Sequence, residues 1–257
     1  MSADLVRVRC ELAYDGSGFS GFARNAGVRT VAGELEAHLE RVLRAPVQVT
    51  AAGRTDSGVH ARGQVISFDA PADRLDPVRL RRSLNSVLGP EIAVRAVAVV
   101  DDSFDARFSA RARTYHYTIL RTEAPDPFLA ATTWHLADSL DLDAMRRAGT
   151  DLVGQHDFSS FCRRPPALAD GSPASLERTV LAIDWAERHE PAELLVCEIR
   201  AVAFCHQMVR SIVGTLVDVG LGRLHAGDVR RIMLARDRAT AGPVAPPQGL
   251  VLWEVGY

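Results

Sequence analysis

Ala51–Gln64, AAGRTDSGVHARGQ, is the stretch on which the reading of this 257-residue chain turns. Val47, Val49, Ala51 and Ala52 before it, and Val65, Ile66 and Phe68 after it, have the β-branched and apolar character of two short strands. Between them Gly53, Gly58 and Gly63 allow tight turns and close approach of the backbone to a ligand. The loop they punctuate concentrates Arg54, Thr55, Asp56, Ser57 and His60. An aspartate in such a setting ordinarily closes an Asx turn by accepting backbone amide hydrogens. An arginine two residues earlier, a hydroxyl on each side and a histidine four residues later form a denser polar cluster than a turn needs.

The flanking sequence supplies an order of elements. Val6, Val8, Cys10 and Leu12 alternate with Arg7, Arg9 and Glu11, the period of a strand with one buried face. Thr30 is placed to cap a helix whose apolar face is Val31, Leu35, Leu39 and Val42. Asp76 and Pro77 pair an N-cap with a first-turn proline, ahead of a stripe of Leu80, Leu84 and Val87. Ile92–Val100 reads as a further strand. The sequence strand, helix, strand, strand, helix, strand is a ferredoxin-like split arrangement. From about Phe104 a similar pattern restarts. Ala112–Leu120, Val180–Ala186 and Leu194–Phe204 read as strands, and Leu142–Val153 as a helix. A long apolar helix over His206–Val219 turns Val209, Ile212, Val213 and Leu216 inward; a short helix over Val229–Ala235 and a strand from Leu250 follow. The expectation is α+β with two ferredoxin-like or RRM-like halves, 1–105 carrying the polar loop and 106–257.

Bulk properties narrow the class. Hydrophobic residues make up 47% and charged residues 24% of the chain, with a net charge of −2, as in an ordinary globular protein. No apolar run approaches the ~20 residues needed to cross a bilayer, and MSADLVRVRCEL puts charge where a signal peptide needs an apolar core. A cytoplasmic protein with no membrane association is expected. Cys10, Cys162, Cys197 and Cys205 show no metal-ligand spacing and read as reduced thiols, mostly buried. All the basic side chains other than histidine are arginines, suited to bidentate phosphate contact and base stacking. They cluster at Arg79, Arg81 and Arg82, at Arg107, Arg111 and Arg113, and at Arg163 and Arg164, while acids gather over Asp138–Asp143. A locally basic cleft and a set of balanced solvated faces both fit this distribution.

GRTDSGVHARGQV (Gly53–Val65) resembles the signature loop of the TruA-type tRNA pseudouridine synthases. Four further segments resemble that family in the same order: AYDGSGFSGF (Ala13–Phe22), FDARFSARARTYHY (Phe104–Tyr117), FCHQMVRSIVGTLVDVG (Phe204–Gly220) and APPQGLVLWEVGY (Ala245–Tyr257). The resemblance implies a pseudouridine synthase fold whose halves frame a central RNA-binding cleft, and a homodimer acting on tRNA without a metal or other cofactor. It implies uridine-to-pseudouridine isomerisation at tRNA positions 38, 39 and 40 in the anticodon stem-loop, with Asp56 as the catalytic aspartate. It further implies that Arg54 helps extrude the target nucleotide, Tyr115 packs against the uracil, Arg210 pairs with the catalytic carboxylate, and Leu250 lines the uracil pocket. The residues add one observation of their own: Arg210 sits among Val209, Ile212 and Val213, where a lone charge is costly unless paired. On pattern alone, Tyr115 reads first as a core tyrosine of a strand. The chain departs from the family at Gly21–Asn25, where Ala23 replaces a glutamine expected to contact RNA. His60 and His206 receive no chemical role. Two other functions fit the same scaffold: a non-catalytic RNA-binding protein, and a carboxylate-dependent glycosidase acting on nucleosides, which needs a second acid.

Overall fold

The alternation in the first apolar segment becomes β1 (Leu5–Tyr14), followed by α1 (Val31–Leu43), β2 (Thr50–Ala51), β3 (His60–Pro71), α2 (Pro77–Leu88) and β4 (Ile92–Val99). Then come β5 (Ala112–Leu120), β6 (Trp134–His135), α3 (Leu142–Thr150), β7 (Gly154–Asp157), β8 (Glu177–Arg188) and β9 (Leu194–Ala201). The chain ends with α4 (Met208–Gly220), α5 (Asp228–Ala235) and β10 (Leu250–Gly256). The computed structural model describes residues 4–167 and 170–257; the first three residues of the N-terminal reading lie outside that range. The chain forms two compact units, one running to Arg113 and including Val251–Tyr257, the other Thr114–Leu250.

In the first unit the strands run β4-β1-β3, with β2 antiparallel to the far side of β3, the ferredoxin-like order expected from the element sequence. Val8, Cys10, Leu12 and Tyr14 all face the core. Thr30 caps α1 by accepting from Gly33 N, and Asp76 caps α2 by accepting from Val78 N and Arg79 N. Both helices rotate slightly from the expected stripe. Leu43 and Leu88 are buried, while Val42 and Val87 are exposed, because the buried arc of α1 also takes in Ala32 and Glu36. Glu36 is satisfied there by Val49 N at 3.1 Å and Arg24 Nη1 at 3.4 Å.

The loop after β2 is shorter than the sequence suggests, since β3 begins at His60 rather than Val65. The reason is pairing on both sides: Gln64 and Ala61 stand opposite Leu12 and Tyr14 of β1, and β10 pairs in parallel with β3 through Val251↔His60 and Leu252↔Ala61. A Cβ at Gly63 would stand 2.4 Å from Trp253 O. Gly63 is thus a close-approach glycine inside a strand, not a turn residue.

In the second unit the strands run β5-β9-β8-β7, with β6 parallel to β5. β8 and β9 form a long antiparallel pair from Val180↔Ala201 to Arg188↔Leu194. Val209, Ile212, Val213 and Leu216 of α4 are buried as expected. The two short strands β6 and β7 are additions to the sequence reading, and α3 stops at Thr150, three residues before its expected end. Among the described residues no helix is long and apolar enough to cross a membrane.

Candidate active site

The loop between β2 and β3 is held almost entirely by neighbours in the first unit. At its base Ala52 N donates to Val65 O at 2.8 Å, and Gln64 Nε2 donates to Gly53 O at 2.6 Å. The buried Tyr14 hydroxyl meets Thr55 Oγ1 at 2.8 Å and accepts from Gln64 Nε2 at 3.3 Å. Burial pushes the Tyr14 hydroxyl up to about 12, against the opposing hydrogen bonds of Thr55 and Gln64, so it stays protonated at neutral pH. Thr55 O accepts from Phe22 N at 3.0 Å, and Ser57 Oγ donates to Phe19 O at 3.2 Å. The AYDGSGFSGF segment therefore forms one wall of the loop.

Asp56 occupies the first position of a tight turn closed by Val59 N donating to its carbonyl at 3.1 Å, with Gly58 at φ 77°. Gly16 lies against the far side of the turn, where a Cβ would stand 2.1 Å from Val59 O. His60 fixes this approach: its Nδ1 accepts from Gly16 N at 3.0 Å and lies 3.1 Å from Asp15 Oδ1. Burial works against ionisation of Asp15. Hydrogen bonds from Ser17 nevertheless hold its carboxyl below the usual aspartate range, with the neighbouring His60 adding to the effect. Side chains alternate along the loop: Arg54 exposed, Thr55 buried, Asp56 half-buried, Ser57 exposed. An exposed guanidinium and a half-buried carboxylate two residues apart thus stand on a backbone that cannot easily move.

The base of the loop has a further support that the sequence reading placed elsewhere. Arg113, grouped there with the surface arginines, is only 8% exposed. Its Nε and Nη2 donate to Ala52 O at 3.1 and 2.8 Å, Nη2 also to Arg107 O at 2.7 Å, and Nη1 to Ala110 O at 3.2 Å. A guanidinium fork directed at carbonyl oxygens is a structural clamp. Arg107 and Arg111 remain exposed.

The other residues singled out by resemblance lie in the second unit. Tyr115 on β5 is buried, its ring edge-on to Phe204 with centroids 5.1 Å apart. Arg210, in the first turn of α4, is half-buried; its Nε donates to Ala245 O at 2.7 Å, and its carbonyl accepts from Ala245 N at 3.1 Å. The same extended segment is met by Tyr117, whose hydroxyl donates to Pro246 O at 2.8 Å. Burial raises the Tyr117 hydroxyl well above its ordinary value, with the Arg210 charge opposing. Leu250 is buried at the start of β10, next to Gly249, which packs on the Tyr117 ring. Arg210 and Leu250 are thereby linked through residues 245–249, while Arg54 and Asp56 share the loop of the first unit.

Gly214 makes the Arg210 anchor possible, because a Cβ there would stand 1.9 Å from Pro243 O. Gly214→Ala is expected to lift residues 243–246 off α4 and destabilise the protein by about 1–3 kcal/mol. A urea titration should show a lower midpoint; an unchanged midpoint would mean that this segment is not tightly seated.

The chain is similar in sequence to known proteins. A family profile described as tRNA pseudouridine synthase matches residues 12–109 and 148–257. The chain is 43% identical over 253 residues to tRNA pseudouridine synthase A of Brevibacillus brevis, covering 98% of this chain and all of the relative. It is 42% identical to the protein of that name from Cutibacterium acnes, covering 98% and 89% of the two chains. Against the Bacillus subtilis protein of the same name identity is 39%, over 98% and 99%.

Proposed function

The chain belongs to the tRNA pseudouridine synthase family, and from that premise we propose that it isomerises uridine to pseudouridine in the anticodon stem-loop of tRNA, at positions 38, 39 and 40, through Asp56. The observation that carries the assignment to Asp56 is its place at the head of the main-chain-closed turn, half-buried and flanked by the anchored Thr55. The isomerisation breaks the bond from ribose C1′ to N1, rotates the retained base and joins C1′ to C5; the C5 proton leaves and N1 gains one. One carboxylate suffices, as nucleophile or as stabiliser of a cationic sugar, with proton transfer at C5.

The remaining roles follow the family residue by residue. Arg54, exposed two residues before Asp56, suits phosphate contact or stacking beside an extruded nucleotide. Tyr115 is the aromatic assigned to the uracil, Arg210 the cation assigned to the catalytic carboxylate, and Leu250 an apolar pocket residue. We further take the protein to be a cytoplasmic homodimer, which sedimentation of the native chain checks.

The direct test is release of tritium from unmodified tRNA labelled at uridine C5. Release without free uracil supports the reading; free uracil would indicate a glycosidase, and binding without release a non-catalytic RNA-binding protein. Tyr115→Phe should keep most of the activity and Tyr115→Ala lose about 10-fold or more, since stacking on a base is worth about 1–3 kcal/mol. Equal losses would assign the role to the hydroxyl.

A further inference from the structure

The segment FDARFSARAR contains a side chain that folding does not explain. Phe108 is 79% exposed. A single exposed apolar residue is common on protein surfaces, but this one stands on a loop whose backbone is pinned at almost every position. Asp105 Oδ1 accepts from both Arg107 N and Phe108 N at 2.8 Å, and Ser109 N donates to Asp105 O at 2.9 Å. Ala106 N donates to the buried Ser67 Oγ at 3.0 Å, while Ala106 O accepts from the Tyr257 hydroxyl at 2.8 Å. Phe104 O is held by Arg7 Nη1 at 2.9 Å. The aromatic ring is presented to solvent by a rigid mount.

The mount is tied to the Asp56 loop by Arg113, whose Nη2 bridges Arg107 O and Ala52 O. One atom therefore joins the Phe108 loop to the base of the Asp56 loop. Asp101 and Asp105 accept from backbone amides in their own turns, and Asp102 is exposed. Arg107 and Arg111 are exposed, and Arg107 Cζ lies 5.2 Å from the Phe108 ring centroid. We propose that Phe108 with Arg107 forms a stacking platform for an unpaired RNA base flanking the nucleotide held at Asp56, a tRNA-positioning site outside the catalytic set. The inference rests on the tRNA reading above. An aromatic ring offers a face to any base, and a neighbouring guanidinium adds phosphate contact and stacking of its own.

The test compares the native chain with Phe108→Ala, Phe108→Leu and Phe108→Trp, using one unmodified tRNA transcript. Binding is read by fluorescence anisotropy and isomerisation by single-turnover tritium release at saturating tRNA. Alanine and leucine are both expected to raise the Kd about 10-fold, tryptophan to keep it within about 2-fold, and all three to retain the saturated rate. Leucine matching phenylalanine, or alanine leaving the Kd unchanged, would overturn the platform while native activity still supported the enzymatic reading. A shift in sedimentation with unchanged tRNA affinity would assign the ring to contact with a second copy, and equally overturn it. A native chain that neither binds nor isomerises tRNA would remove both readings.

Discussion

Asp56→Asn is expected to lower single-turnover tritium release by about 10³-fold or more, with little change in tRNA affinity or melting temperature. The magnitude follows from the loss of the group that acts on sugar or base and handles the C5 proton. The selectivity follows from the loop itself. The fold here depends on the Asp56 carbonyl, the Thr55 hydroxyl and carbonyl, and the Gln64 amide. Asparagine keeps the backbone and the size of the side chain, so the turn closed by Val59 N persists. If melting temperature, tRNA binding and activity fell together, Asp56 would be a structural aspartate and the chemistry would have to lie elsewhere.

The ferredoxin-like order of the first unit was legible because its signals are local. Thr30, Asp76 and Pro77 mark helix starts by hydrogen-bonding rules that need no tertiary information. Alternation over Val6–Leu12 shows one buried face. Features that depend on distant partners were not legible. His60–Gln64 reads as loop because of Gly63, yet the absence of a Cβ there admits β10, almost two hundred residues away in sequence. Val42 and Val87 fit the helical stripe as well as Leu43 and Leu88 do, and which side is buried depends on the sheet beneath. β7, GQHD, carries no apolar alternation, and only its pairing with Glu177–Val180 makes it a strand. At the site Arg54 and Asp56 were legible from motif resemblance. The residues that hold them, Tyr14, Gln64 and Arg113, were not. Arg113 in particular has the same sequence context as Arg107 and Arg111, and strand alternation from Ala112 onward gives no sign that its fork would find three carbonyls.

Arg113 carries the second large expected effect. Arg113→Met preserves the apolar length of the side chain but removes every donor to Ala52 O, Arg107 O and Ala110 O. A buried acceptor left without a partner costs about 1–3 kcal/mol, so a total loss of about 3–5 kcal/mol is expected, or about 10 °C in melting temperature for a chain of this size. Arg113→Lys should recover part of this at most, because one ammonium cannot reproduce a planar fork spanning three carbonyls. The decisive readout is local. Since one guanidinium serves both loops, amide hydrogen exchange should quicken together at Ala52, whose N–H bonds Val65 O, and at Ala106, whose N–H bonds Ser67 Oγ. Activity should fall at temperatures where the rest of the protein is still folded, because the Asp56 turn and the Phe108 mount lose their shared support. If only one of the two amides loses protection, the clamp does not couple the loops, and the turn bearing Asp56 is held sufficiently by Tyr14, Thr55 and Gln64 alone.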